Sequence, residues 1–307
     1  MRFLIVGAGA IGGYFGGRLV QKGEDVTFLV RAAKQIQLEA DGLIVKSVHG
    51  DFQTSVRTIT YSEGAKPFDC IIIAVKAYHL PQVMNDIEPY VSEHTLILPL
   101  LNGYDHFNIL QNRFGPEHVL GGLCYIETTL DSAGIIVQSS SFHSIVVGEW
   151  AGGESERTHL LLSHLDNAGF TVTLSSDIQR EVWQKYIFVA SLSGITTLMD
   201  SSVGPILASP EARVIYEKLL EEIVSLAQKA GMPVGPEMAA STMQKMLSVL
   251  PEFTSSMHRD MHKQLPVEAD HLHGALLAMA LPGQDAYPVL ETVYARLKVY
   301  ESVNDMR

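Results

Sequence analysis

An α/β domain followed by an all-α domain is the architecture that the sequence predicts, and three observations predict it. Short apolar runs, beginning with Arg2–Val6, alternate with helical segments through the first half, as in a parallel sheet with crossover helices. A glycine-rich turn, Gly7-Ala8-Gly9-Ala10-Ile11-Gly12, stands between the first of these runs and the first helix. Beyond about residue 175 the apolar spacing turns helical and stays so to the end.

Each element has its own signal. Arg2–Val6 reads as a strand buried on both faces, and the helix behind it runs through about Lys22 until Gly23 stops it. Asp25–Val30 is the second strand. Leu43–Val48 and Phe52–Thr60 flank His49-Gly50-Asp51, which reads as a hairpin turn. Cys70–Val75 and Thr95–Leu98 are buried strands, Gly134–Gln138 and His143–Gly148 suggest a second hairpin, and Phe170–Leu174 closes the half. Asp177 then caps a helix carrying Val182, Trp183, Tyr186 and Val189. A long helix from Pro210 to Ala230 ends at Gly231 and Pro233, and three more begin near Pro236, Thr254 and Asp285. The expected domains are 1–174 and 175–307, with no Pro/Ser-rich linker and a ligand cleft between them.

Composition removes several function classes. The 307 residues are 47% hydrophobic and 18% charged, which fits two folded domains and not a disordered chain. A net charge of −12 without a basic stripe argues against nucleic acid. No run of about 18 apolar residues is present, so no membrane partner is expected. Six glycines between Gly7 and Gly17 argue against a secretory signal. Cys70 and Cys124 sit in apolar runs and read as two reduced thiols of a cytoplasmic protein.

The glycine turn carries chemistry because of its context. Gly7 permits the tight turn, Gly9 lets a pyrophosphate approach the backbone, Gly12 lets the helix pack on the sheet, and the first-turn N–H groups of Ala10 and Ile11 face the phosphates. An acidic residue after the second strand would select NAD, but the sequence there is Arg31-Ala32-Ala33-Lys34, with no carboxylate until Glu39. Arg31 suits a 2′-phosphate, with Lys34 and Lys76 as further cations, so the expected cofactor is NADP(H).

The segments GAGAIGGYFGGRL at the start, VKAYH at 75–79, LLNGYDH at 100–106, EVWQK at 181–185, TSSMHRD at 254–260 and PVEADHLHG at 266–274 together resemble the ketopantoate reductase (2-dehydropantoate 2-reductase) family. The resemblance runs in the family's order over nearly the whole chain. It implies a Rossmann-type domain joined to a helical domain like the C-terminal domain of 6-phosphogluconate dehydrogenase, the second serving substrate binding and dimerisation. It implies NADPH-dependent reduction of a 2-oxo acid, ketopantoate first, within pantothenate biosynthesis. By position, Lys185 matches the general acid, Asn102 an asparagine that holds the lysine or bridges nicotinamide and substrate, and Glu268 the acid that meets the substrate hydroxyl. Ser256 matches the serine at the substrate carboxylate, although a helix cap explains that serine as well.

The chain also departs from the family's pattern. Val189 and Ser193 stand where two asparagines are expected on the Lys185 helix, which favours a different, less hydroxylated 2-oxo acid. A non-catalytic NADP(H)-binding sensor, or oxidation of a 3-hydroxy acid or polyol phosphate, are the alternatives. His258 and His262, at i and i+4, have the spacing of metal ligands, but HRDMH holds no glutamate base and no third ligand is evident, so no metal is expected.

Overall fold

In the computed structural model, which describes residues 1–61, 64, 66–280 and 286–305, the chain runs from β1 (Arg2–Val6) through α1 (Ala10–Lys22) to β2 (Asp25–Leu29). There follow α2 (Ala32–Asp41), β3 (Leu43–Ser47), β4 (Phe52–Thr54), β5 (Arg57–Ile59), β6 (Cys70–Ile73), α3 (Leu80–Ile87) and β7 (Leu96–Pro99). Then come α4 (Asp105–Phe114), β8 (Gly121–Leu130), β9 (Ile136–Gly148), α5 (Glu156–Leu165) and β10 (Thr171–Leu174). The contacts divide the chain into two units: Met1–Leu101 with His106–Gln179, and Asn102–Asp105 with Arg180–Arg307. The sequence places a single cut between residues 174 and 175. The chain divides after Gln179 instead, and Asn102–Asp105 goes to the helical unit, where the Asn102 carbonyl is bonded.

The first unit holds two sheets. One is parallel, in the order β5-β2-β1-β6-β7, and every residue of β6 and β7 is buried, as strands covered on both faces require. From β1 the chain proceeds to β2 on one side and to β6 and β7 on the other, so the order reverses beside the glycine turn. The second sheet is mixed, β10-β9-β3-β4, with β8 antiparallel to β9. Helix α1 packs against both sheets by presenting glycines: a Cβ on Gly16 would lie 2.7 Å from the Phe28 ring, and one on Gly13 would strike Ile136. Cys70 and Cys124 are both buried thiols in this unit, and burial pushes the Cys70 thiol up.

Two strand expectations need correction. Phe52–Thr60 is two strands: β4 pairs antiparallel with β3, whereas β5 joins β2 at the edge of the other sheet, where Arg57 ion-pairs with Asp25. The proposed hairpin of Gly134–Gln138 with His143–Gly148 is one continuous strand, β9, whose antiparallel partner β8 the sequence reading missed. The polar stretch Ser139-Ser140-Ser141 looks like a turn. Within β9, however, the Ser140 hydroxyl accepts from the Glu127 backbone N–H and donates to the Phe142 carbonyl, so its polarity is satisfied inside the sheet.

The helical unit is built around α6 (Ile178–Met199), which begins directly after Asp177. Trp183, Tyr186, Ile187 and Ala190 on it are buried. It is followed by α7 (Val203–Ala208), unassigned in the sequence, and by α8 (Pro210–Lys229), capped by the Ser209 hydroxyl. Next come α9 (Met238–Ser248), α10 (Ser256–His262), the π-helical turn Asp270–Gly274 running into α11 (Ala275–Leu277), and α12 (Pro288–Asp305). Asp285, where the last helix was expected to begin, lies outside the described residues. The Glu222 carboxylate on α8 accepts from the backbone N–H groups of Val289 and Leu290, so one helix caps another. Among the described residues no helix is long and apolar enough to cross a membrane.

Candidate active site

The glycine turn fits a dinucleotide pyrophosphate, residue by residue. Gly7 has φ +97°, and a Cβ there would lie 2.8 Å from the Ala74 carbonyl oxygen. A Cβ on Gly12 would collide with the Gly7 carbonyl oxygen, which makes its small size a packing requirement. Gly9, by contrast, has nothing within 4 Å of the position its Cβ would take, so the space above it is open. The α1 ladder starts with Gly13 donating to the Gly9 carbonyl, no acidic side chain occupies the first turn, and the N–H groups of Ala10, Ile11 and Gly12 have no intrahelical acceptor.

The cations meant for the 2′-phosphate divide between two places. Arg31 is exposed at the N-terminal end of α2, one strand over from the glycine turn, with Nη2 3.4 Å from Nδ1 of His79. Lys76 follows β6, on the other side of β1, and its carbonyl accepts from the His79 N–H. His79 therefore touches both cationic positions. It belongs to the VKAYH segment, and the sequence reading gave it no role. Lys34 instead turns to Gln37, donating to its Oε1 at 3.0 Å beside a pocket of about 130 Å³ lined by Gly42 and Ala133, and burial lowers its pKa.

In the helical unit, three consecutive residues of the π-helical turn stitch the other candidates together. His271 donates from Nε2 to the Asn102 carbonyl at 2.8 Å, the Leu272 carbonyl accepts from the Tyr186 hydroxyl at 2.6 Å, and His273 donates from Nε2 to the Ala190 carbonyl at 2.9 Å. The loop bearing Asn102, the turn that follows Glu268, and the stretch of α6 that flanks Lys185 are thereby held in one arrangement. Gly103 makes it possible: its φ is +94°, and a Cβ there would lie 2.7 Å from His271 Nε2. With its backbone carbonyl taken by His271, Asn102 still has its side-chain carboxamide to offer a ligand. Glu268 is 9% exposed, and its own carbonyl accepts the Leu272 N–H. His273 is fully buried, and the loss of water pushes its pKa down to about 4, so it is a neutral donor at pH 7. The sequence signal for His271 and His273 lies in PVEADHLHG itself, three and five residues after Glu268.

Lys185, Val189 and Ser193 follow one another at i, i+4 and i+8 on α6 and so share a face. Lys185 and Val189 are half-buried, while Ser193 is 1% exposed, and its hydroxyl donates to the Val189 carbonyl of its own helix. Ser256 is the exposed first residue of α10. The cap is its neighbour Ser255, whose hydroxyl accepts the His258 N–H at 3.0 Å, so the capping explanation of Ser256 is corrected. The metal expectation also changes, because Asp200 is the third ligand-type residue beside His258 and His262 that sequence spacing did not reveal.

The family model described as ketopantoate reductase PanE/ApbA matches residues 3–152, and its C-terminal counterpart matches residues 177–301. The chain is 43% identical to "uncharacterized oxidoreductase YkpB" of Bacillus subtilis, covering 98% of this chain and 99% of that one. It is 26% identical to a 2-dehydropantoate 2-reductase of Nostoc, over 99% and 96% of the two chains. The crystal structure of 2-dehydropantoate 2-reductase from Geobacter metallireducens superposes with a TM-score of 0.87 at 26% identity, over 97% and 99% of the two chains. The chain therefore belongs to the ketopantoate reductase family, a family of oxidoreductases that use a nicotinamide cofactor.

Proposed function

We propose that this protein reduces a 2-oxo acid to the corresponding 2-hydroxy acid with NADPH in the cytoplasm, ketopantoate being the first substrate to test. The observation that carries this reading is the run His271, Leu272, His273, which fixes Asn102, the Glu268 turn and the Lys185 stretch of α6 by three hydrogen bonds. When bound, the cofactor supplies a hydride. Arg31 and Lys76 hold its 2′-phosphate, and the first-turn N–H groups of α1 hold its pyrophosphate. Lys185 donates the proton that neutralises the developing alkoxide, and the Asn102 carboxamide orients the carbonyl beside it. Glu268 accepts a hydrogen bond from a substrate hydroxyl, and Ser256 donates to the substrate carboxylate. Val189 and Ser193 line the same face of α6.

A second reading of the substrate has its own observation. Val189 offers an isopropyl group where the family pattern expects an amide, and the Ser193 hydroxyl hydrogen is committed to its own helix. Both changes remove donors, which favours an acid with fewer hydroxyl groups than ketopantoate. Loss of NADPH absorbance with ketopantoate and with a panel of alkyl and aryl 2-oxo acids tests both readings. Turnover of an apolar acid alone replaces ketopantoate and keeps the reaction, whereas consumption with none of them leaves an NADP(H)-binding sensor. Lys185→Ala is expected to lower kcat by at least about 100-fold with the NADPH dissociation constant unchanged. An undiminished kcat removes Lys185 as the acid. We also place a homodimer contact on the helical unit, where Leu250 and Val299 are exposed; sedimentation at the monomer mass removes it.

A further inference from the structure

At the far end of α6 a second constellation stands apart from Lys185, fifteen residues and about 22 Å further along the helix. Nε2 of His258 and Nε2 of His262 lie 2.9 and 3.0 Å from Oδ1 of Asp200, and 3.0 Å from each other. Three atoms that bear lone pairs thus form a nearly equilateral triangle. Nδ1 of His258 lies 2.7 Å from Oγ1 of Thr254. With the hydrogen on Nδ1, the Thr254 hydroxyl accepts it and Nε2 turns a bare lone pair toward the other two atoms, the tautomer a metal-bound histidine needs. One proton in the triangle lies on one atom at a time, whereas a cation engages all three.

The spacing selects the kind of cation. Bonds of about 2.1 Å put adjacent ligands about 3.0 Å apart in octahedral geometry and about 3.4 Å apart in tetrahedral geometry. The observed triangle already has the first spacing and reaches the second by small side-chain rotations. Two imidazoles with one carboxylate suit divalent transition ions such as zinc; calcium and magnesium prefer all-oxygen sets. His258 is buried at 8% side-chain exposure, while Asp200 and His262, at 65% and 60%, leave the outer side open to water ligands.

The frame is fixed before any ion arrives. Asp200 has φ +47°, a left-handed conformation that turns the chain just beyond α6. The segment that follows is tied to the approach to α10, with the Val203 N–H donating to the Phe253 carbonyl and the Gly204 N–H to the Pro251 carbonyl. The hydroxyls of Thr196 on α6 and Ser255 at the α10 cap are 2.8 Å apart. We propose that Asp200, His258 and His262 form a binding site for one divalent transition-metal ion, zinc being the best fit, which clamps α10 to the end of α6. The site is argued from its own geometry and not from the reductase reading, although the helix it clamps also carries Ser256.

The full-length protein, stripped with a chelator and dialysed, is titrated with zinc chloride in a calorimeter and melted with and without the ion. One zinc per chain at low micromolar affinity or better is expected, with a melting temperature raised by about 5 °C at saturating zinc. His262→Ala, at an exposed position, and Asp200→Asn, which tolerates the left-handed conformation, are each expected to weaken zinc at least tenfold and to lose the thermal shift. Cobalt provides a second readout, since its visible spectrum reports the ligand set and should be lost in the same variants. Zinc binding equal in the parent and both variants places the ion on other histidines and overturns the site. No binding at 100-fold molar excess overturns it as well, leaving a proton shared between two histidines and an aspartate.

Discussion

The glycine turn and the lysine helix are two proposed binding regions built by opposite means. At the turn the ligand meets backbone N–H groups, and what matters in the side chains is their absence: Gly12 has no room for a Cβ, and Gly9 leaves open space. At the lysine helix the proposed ligand would meet side chains drawn from α6, from Asn102 and from the Glu268 turn, and a bond that joins residues 169 positions apart ties the last two together. A backbone site is encoded by a dozen contiguous residues. A side-chain site depends on the tertiary structure that gathers it, so its supports, His271 and His273, are as much a part of it as the groups that touch substrate.

The largest expected effect separates two roles within the turn itself. Gly12→Ala places a methyl group against the Gly7 carbonyl, a backbone atom that cannot move aside, and should destabilise the first unit by more than about 3 kcal/mol. Gly9→Ala meets nothing at a permissive φ of −85° and should change stability by less than about 0.5 kcal/mol, while weakening NADPH at least about tenfold because the methyl stands where the pyrophosphate approaches. Urea unfolding and NADPH fluorescence titration of the two variants measure this. Equal destabilisation by both would end the distinction between a packing glycine and a ligand glycine.

The second expectation concerns the helical unit, whose support is titratable where the glycine turn has no titratable group. His273 has a folded pKa of about 4 against an ordinary 6.5, because burial disfavours the imidazolium. Between those values the unfolded chain binds a proton that the folded chain does not, so stability is full above pH 6.5 and falls as the pH drops toward 4. The loss amounts to about 3 kcal/mol at the acid end. His273→Gln retains a neutral donor for the Ala190 carbonyl and should flatten the urea midpoint between pH 6.5 and 4.5. An unchanged slope in that variant assigns the acid sensitivity to other groups.

The same contrast explains which parts of the protein were legible in the sequence. The parallel sheet and the glycine turn were, because fully apolar strands and a strand-turn-helix order are local signals. Lys185, Asn102, Glu268 and Ser256 could be named only through the family resemblance, since spacing along the chain does not show that Asn102 joins the helical unit. β8 and β9 were misread because buried Gln138 and Ser140 satisfy their polarity inside the sheet, so a polar triplet looked like a turn. Asp200 was invisible beside His258 for a related reason: 58 residues separate them, and only the turn after α6 brings them within 2.9 Å.

The smallest expected effect tests whether the cofactor side of the comparison depends on side chains at all. The backbone cradle suits NADH and NADPH alike, so discrimination between them has to come from the nearby cations, with the exposed Arg31 in the leading position. A charge-assisted fork to a 2′-phosphate is worth about 2 kcal/mol, so Arg31→Ala should raise the NADPH dissociation constant about 30-fold. The NADH value should stay the same, because the cradle is untouched. His79→Ala should give a fraction of that loss, since His79 supports the phosphate site from behind, with Nδ1 3.4 Å from the Arg31 guanidinium and its N–H on the Lys76 carbonyl. If Arg31→Ala weakens both cofactors equally, Arg31 acts on the shared part of the dinucleotide, and selection passes to Lys76 beyond β6.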